Sequence, residues 1–221
     1  MESDPSTPDL PVISPFEKGS FYELVSDGKL RAYEIKSFGP NTATIYYIES
    51  NETLSKSKFD LLIHKGDSKG GEVLGVAKRH MRGFTIGLGD PAGEIEGKQI
   101  IWEKLERPEK YSHKVYHFDF GKGEQRSTYT FRKATGRTGR LKSMELRVGG
   151  VDEEDGKLVA KWVGSSRWNM KNGSLFVADT VKREQDSKQN ALREGDANDL
   201  EMIVYLTTFA IIESQVRRSK G

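Results

Sequence analysis

From Phe21 onward the apolar residues fall into short runs, rich in β-branched and aromatic side chains and separated by Gly, Asn and Asp at turn-like intervals. Such runs predict strands, which we place at 21–25, 30–35, 43–49, 59–63, 73–79, 84–87, 98–104, 114–120, 127–133, 143–148, 157–163 and 174–181. About twelve strands at this spacing suit a sandwich or a barrel. In 127–133, Thr128, Thr130 and Arg132 oppose Tyr129 and Phe131, and in 114–120, Val115, His117 and Asp119 oppose Tyr116, Phe118 and Phe120. One dry face and one wet face is the signature of antiparallel sheet. Ser26-Asp27-Gly28, residues 67–71, Gly121-Lys122-Gly123 and Asp155-Gly156 supply the turns.

The last apolar run is different. From Leu200 to Ile212 it is broken only by Glu201 and two threonines, and it turns polar at Ser214, Gln215, Arg217 and Arg218. Asn198 with Glu201 reads as a capping box, and the terminal arginines suit the negative end of a helix dipole, so a helix is predicted over 199–216. At 100° per residue its apolar side chains cover almost every bearing, and a helix apolar all round must be buried all round. The 202–212 run is about half of the roughly 20 residues needed to span a bilayer, so its walls must come from protein. A closed antiparallel barrel of about twelve strands curled round a central C-terminal helix supplies those walls and removes exposed edges. The competing arrangement, two packed sheets with the helix across one end, leaves one side of the helix wet.

Outside this pattern lie two polar stretches. Residues 1–18 carry four prolines and no periodicity and read as a disordered tail, with Thr7-Pro8 and Ser14-Pro15 as candidate phosphorylation sites. Residues 183–198 read as a charged connector, and 19–221 as one domain. Thirty-five Lys and Arg against 33 Asp and Glu give a net charge of +2, so no global field draws the protein to nucleic acid and any anion site must be local. Without cysteine the chain has no disulfide, thiol nucleophile, thiolate zinc site or palmitoylation site. The acidic, Pro-rich start lacks the pattern of a secretory signal, which favours an intracellular, cytoplasmic location and makes the sequons at Asn51 and Asn172 irrelevant.

Arg126-Ser-Thr-Tyr-Thr-Phe-Arg132 in a middle strand, and the terminal run 199–213 followed by Arg217-Arg218, give the chain a pattern over about 20–218 that resembles the tubby C-terminal domain-like superfamily. That superfamily includes tubby-like proteins, phospholipid scramblases and LURP-one-related plant proteins, and the chain is most similar to its uncharacterised fungal members. The resemblance implies a barrel threaded by a helix and, as in tubby-like proteins, binding of phosphoinositides through surface Lys and Arg. Scramblase features are missing: there is no cysteine-rich segment, and Asp152-Glu-Glu-Asp155 lacks the alternating ligand spacing of a calcium loop.

Two basic clusters are the candidate site. One holds Arg132, Lys133, Arg137, Arg140, Lys142 and Arg147 around a Gly/Thr turn; the other holds Lys78, Arg79, His80 and Arg82. Guanidinium forks and turn N–H groups suit a phosphate. Were the clusters adjacent, they would form a site for a phosphorylated head group or an anionic leaflet, with the protein peripheral to the membrane; otherwise they are the wet faces of strands. A protein-interaction or scaffold barrel is the alternative from a different class, and an intrabarrel ligand carrier a third.

Other motifs resolve into structure. His113 and His117 lie about 13 Å apart if 111–120 is a strand, too far to share a metal. Gly87-Leu-Gly89-Asp-Pro-Ala-Gly93 has the wrong glycine spacing and no βαβ context for a dinucleotide loop, and reads as a turn. No nucleophile, base and orienter set is visible, so no enzyme, metal or cofactor is expected. Trp102, Trp162 and Trp168 read as packing residues, with Trp168 also placed to stack a ligand at a barrel mouth.

Overall fold

The structure, a computed structural model, describes residues 18–26, 32–40, 42–51, 59–92, 100–108, 114–135, 141–153, 155–164, 173–179, 181 and 195–219. Among these residues there are twelve strands: β1 (Gly19–Ser26), β2 (Ala32–Ser37), β3 (Thr44–Ser50), β4 (Leu61–Lys65), β5 (Val73–His80), β6 (Gly83–Leu88), β7 (Ile101–Glu106), β8 (Val115–Phe120), β9 (Ser127–Thr135), β10 (Leu141–Val148), β11 (Leu158–Gly164) and β12 (Gly173–Ala178). Each pairs antiparallel with its neighbours in sequence, and β1 pairs with β12, which closes the sheet into a barrel and removes the two-sheet alternative. Of the predicted tail, residues 1–17 lie outside the described residues, and the Lys18 carbonyl accepts from the Asp179 N–H at 2.8 Å.

Alternation decides what faces inward. Leu24, Ile35, Ile48, Ile63, Ile86, Leu105, Phe131, Leu146, Trp162 and Leu175 are all buried inside. The register carries that inward set from strand to strand: Tyr116 opposes Phe131, Phe131 opposes Leu146, and Trp162 opposes Leu175. Because the pleat has a period of two, one slipped residue would turn any of these rows out to water.

The helix, α1 (Gly195–Ser219), fills the barrel. It begins a turn before the predicted Asn198 cap, and Glu201 is engaged instead by two tyrosine hydroxyls. Every residue over 202–213 is buried, as a helix apolar on all bearings requires. No helix among the described residues is long and apolar enough to cross a membrane.

The helix is nearest the wall made by β4, β5 and β6. Gly75 on β5 makes that approach possible: a Cβ there would come within 2.7 Å of Leu206 Cδ1 and 2.9 Å of the Gly87 carbonyl oxygen. Ala77, the next inward residue on β5, is likewise small and buried. Away from that wall the interior is filled by Tyr116, Phe118, Phe131 and Trp162, all among the largest fully buried side chains. Small inward residues on β5 and large rings on the far side suit an off-centre rod.

One seam departs from regular pairing. Among the described residues β7 and β8 meet in register only at Glu106 and His117. Beyond that point Arg126 bridges them. Its guanidinium donates to both carboxylate oxygens of buried Glu103 on β7, at 2.9 and 2.6 Å, and to the carbonyls of Gly121 and Asp119 at the end of β8, at 3.3 and 3.2 Å. A bidentate, charge-assisted pair stands where ladder hydrogen bonds are missing.

Candidate functional site

Antiparallel order sorts the connections to two ends of the barrel. The β1–β2, β3–β4, β5–β6, β7–β8, β9–β10 and β11–β12 connections share the end reached by the C-terminus of α1, where Arg217 bonds Asp60 just before β4. The others lie at the end holding the helix N-terminus.

At the N-terminal end, Tyr22 and Tyr205 both donate to Glu201 Oε1, at 3.0 and 2.7 Å, and the Tyr46 ring lies 5.4 Å from that of Tyr205. Burial, reinforced by the Glu201 charge, raises the Tyr205 phenol well above its ordinary value of 10.0, and the same causes raise Tyr46. A phenol with a raised folded-state pKa leaves stability intact below the ordinary value and erodes it above, by up to about 1.4 kcal/mol per pH unit. Stability is therefore expected to fall as pH climbs past about 10, and Tyr205→Phe to flatten that fall, as measured by urea unfolding at stepped alkaline pH. An unchanged slope in the variant would mean that Tyr205 is not the group responsible.

At the other end lies a pocket of about 420 Å³ lined by Arg79, His80, Met81, Gly83, Phe84, Arg107, Tyr116 and Ser214. The β5–β6 hairpin forms one lip. His80 pairs with Gly83, so Met81 and Arg82 alone make the turn. Gly83 lets β7 pass close beneath: a Cβ on it would sit 1.9 Å from the Leu105 carbonyl oxygen. Arg107, just beyond β7, clamps the turn by donating Nε–H and its own backbone N–H to the Arg82 carbonyl, at 3.2 and 3.1 Å, and Nη2–H to the Met81 carbonyl. With the turn carbonyls occupied by a cation, the lip presents positive charge outward.

The floor carries further order. The Arg79 backbone N–H donates to Asp60 Oδ2 at 2.7 Å, and Asp60 Oδ1 accepts from Arg217 at 3.0 Å, tying hairpin and helix together. The Lys133 ammonium lies 5.3 Å from the centre of the Tyr116 ring and donates to Gln215 Oε1 at 3.3 Å. His80 Nε2 is 2.7 Å from Thr85 Oγ1. Among the described residues the guanidinium groups of Arg79 and Arg82 make no hydrogen bond or ion pair, although both are exposed. The negative end of the helix dipole opposes an anion on the axis, so the favourable seat is off-axis, against Arg79 and Arg107.

The predicted basic residues are thus sorted by the fold. Arg79 lines the pocket and Arg82 stands in the hairpin turn beside it, while Lys78 is exposed on the outer wall, in register with Thr85 and, one strand further, Lys104. Lys142 is exposed near the start of β10, at the same barrel end. Arg132 points along the outer wall of β9 towards the opposite end, donating to the carbonyls of Val151 and Glu153 in the β10–β11 turn. Arg147 likewise bonds Glu145 and the Gly156 carbonyl. Burial raises the Glu145 carboxyl, but hydrogen bonds from Lys161 and Arg147 outweigh it and hold the group below its ordinary range. Arg137 and Arg140 lie outside the described residues; the paired ends Thr135 and Leu141 that flank them are at the pocket end.

Neither Arg107 nor Met81 is picked out by the sequence reading. Met81 could have been: it is the lone large apolar residue within Lys78-Arg-His-Met-Arg82, in the short gap between the strands predicted at 73–79 and 84–87. Of the remaining motifs, Trp162 is core, Ala92 N–H donates to Asp90 Oδ1 in the turn after β6, and His113 and Trp168 lie outside the described residues. No cluster of metal-ligating side chains occurs among the described residues. Compared with family models, with curated proteins and with solved structures, the chain matches none.

Proposed function

We propose that this is a non-enzymatic, tubby-like barrel domain that holds the phosphorylated head group of an anionic phospholipid, a phosphoinositide, at the mouth of the barrel. The observation that carries the reading is the pocket beside the β5–β6 hairpin, where the guanidinium groups of Arg79 and Arg82 make no hydrogen bond or ion pair among the described residues and Arg107 satisfies the turn carbonyls. Its volume of about 420 Å³ suits a head group rather than a whole lipid. The end of β9 and the start of β10, which flank Arg137 and Arg140, lie at the same barrel end.

Vesicle sedimentation tests it. Phosphatidylcholine vesicles doped with phosphatidylinositol bisphosphate are expected to carry the protein down at low salt and to lose it as salt is raised. Arg79→Ala with Arg82→Ala should weaken binding about thirtyfold, at about 1 kcal/mol per basic residue near the surface. Arg137→Ala with Arg140→Ala tests the second cluster in the same assay. No sedimentation at low salt removes the reading.

A second reading, a protein-interaction barrel without a lipid ligand, is favoured by Trp102. It is 39% exposed on the outer wall and stacks on Phe59 at 6.3 Å, and tryptophan is enriched among interface hot spots. Under that reading vesicles leave the protein in the supernatant and Trp102→Ala weakens partner capture.

A further inference from the structure

Met81 is the most exposed large apolar residue among those described, at 82%. A single exposed apolar side chain on a wall needs no explanation. This one occupies a two-residue turn at the rim of the cationic pocket, preceded by Lys78, Arg79 and His80 and followed by Arg82. Arg107 holds both carbonyls of that turn, so the tip is fixed in place and its backbone acceptors are already matched. An apolar point inside a collar of cations is complementary to one surface in particular: anionic head groups above a hydrocarbon layer. A globular protein partner would instead offer an apolar pocket ringed by acids, which demands a more extended apolar patch than one side chain provides.

We infer that the β5–β6 hairpin is a membrane-insertion element, with Met81 entering the acyl boundary of an anionic leaflet while Arg79 and Arg82 remain at head-group level. The inference rests on the lipid reading above and adds an orientation to it. The barrel docks by its α1 C-terminal end, and the β4–β5 turn around Gly66 to Gly71 faces away from the bilayer.

The absence of cysteine gives a clean test, because Met81→Cys and Ser68→Cys each create a single labelling site. Ser68 is exposed in the β4–β5 turn at the far end. With an environment-sensitive dye and phosphatidylinositol bisphosphate vesicles, the label at 81 is expected to shift to the blue and to be quenched by lipids spin-labelled in the acyl chain. The label at 68 should do neither. Met81→Asn should weaken vesicle binding roughly tenfold to thirtyfold, as expected for losing the burial of one large apolar side chain. Met81→Leu, which keeps an apolar tip on the hairpin, should bind vesicles like the parent. Sedimentation of the protein with no blue shift at 81, or with Met81→Asn unimpaired, overturns insertion and leaves head-group binding standing. Failure of the parent protein to sediment overturns both.

Discussion

Phe209→Ala is expected to lower the unfolding free energy by about 3–5 kcal/mol, the range for truncating a buried aromatic ring. Phe209 is 0% exposed, and its ring centre lies 5.0 Å from that of Tyr33 on β2. It stands in the middle of the stretch that the barrel encloses, so no solvent can enter and no loop can collapse to fill the space. Phe38, at the end of β2, is the control. It is 43% exposed and meets Phe21 on the outside of the barrel at 6.4 Å. Phe38→Ala should cost about 1 kcal/mol or less. Denaturant unfolding of both variants checks the contrast, and similar midpoints would show that the enclosed helix is not the centre of stability.

The second large effect concerns charge inside the barrel. Glu213 is only 2% exposed; it accepts from the Tyr33 hydroxyl and faces Arg217 Nε at 3.7 Å, while Arg217 bonds Asp60 at 3.0 Å. Glu213→Leu leaves Arg217 half-matched and takes away the acceptor that Tyr33 uses, at an expected cost of about 2–4 kcal/mol. Removing both polar partners together is different in kind. Glu213→Leu with Tyr33→Phe should cost less than the sum of the single changes, since neither member is then left behind. A double-mutant cycle by urea unfolding measures the difference, and strict additivity would mean that the hydroxyl and carboxylate do not depend on one another.

The fold was legible because two periodicities do not overlap. Tyr129 and Phe131 alternate with Thr128 and Thr130, which only a strand allows, and the 202–212 run covers every bearing, which only an enclosed helix allows. Closure follows from combining them, and the pairing of β1 with β12 bears it out. The candidate site was legible only in part. Lys78-Arg-His-Met-Arg82 is plainly basic, but residue type does not say which neighbour claims a side chain. Arg132 goes to carbonyls of the β10–β11 turn and Arg147 to Glu145, contacts set by register and by the length of a turn. Arg107 is a lone cation before Pro108, and its value to the β5–β6 turn exists only because Gly83 admits the β7 backbone. The capping box at Asn198 failed as a start signal because the helix continues one turn upstream, to Gly195.

The rod is encoded after every stave that surrounds it. Tyr33 and Glu213, which touch, are separated by 180 positions, and Tyr22 and Glu201 by 179. During synthesis the staves therefore emerge with greasy faces and nothing to lie against, and ring closure gains little until the rod arrives. Topology of this kind makes the search slow and the outcome all-or-none. A ribosome stalled before position 195 should hold a protease-sensitive chain rather than a hollow cylinder awaiting its filling.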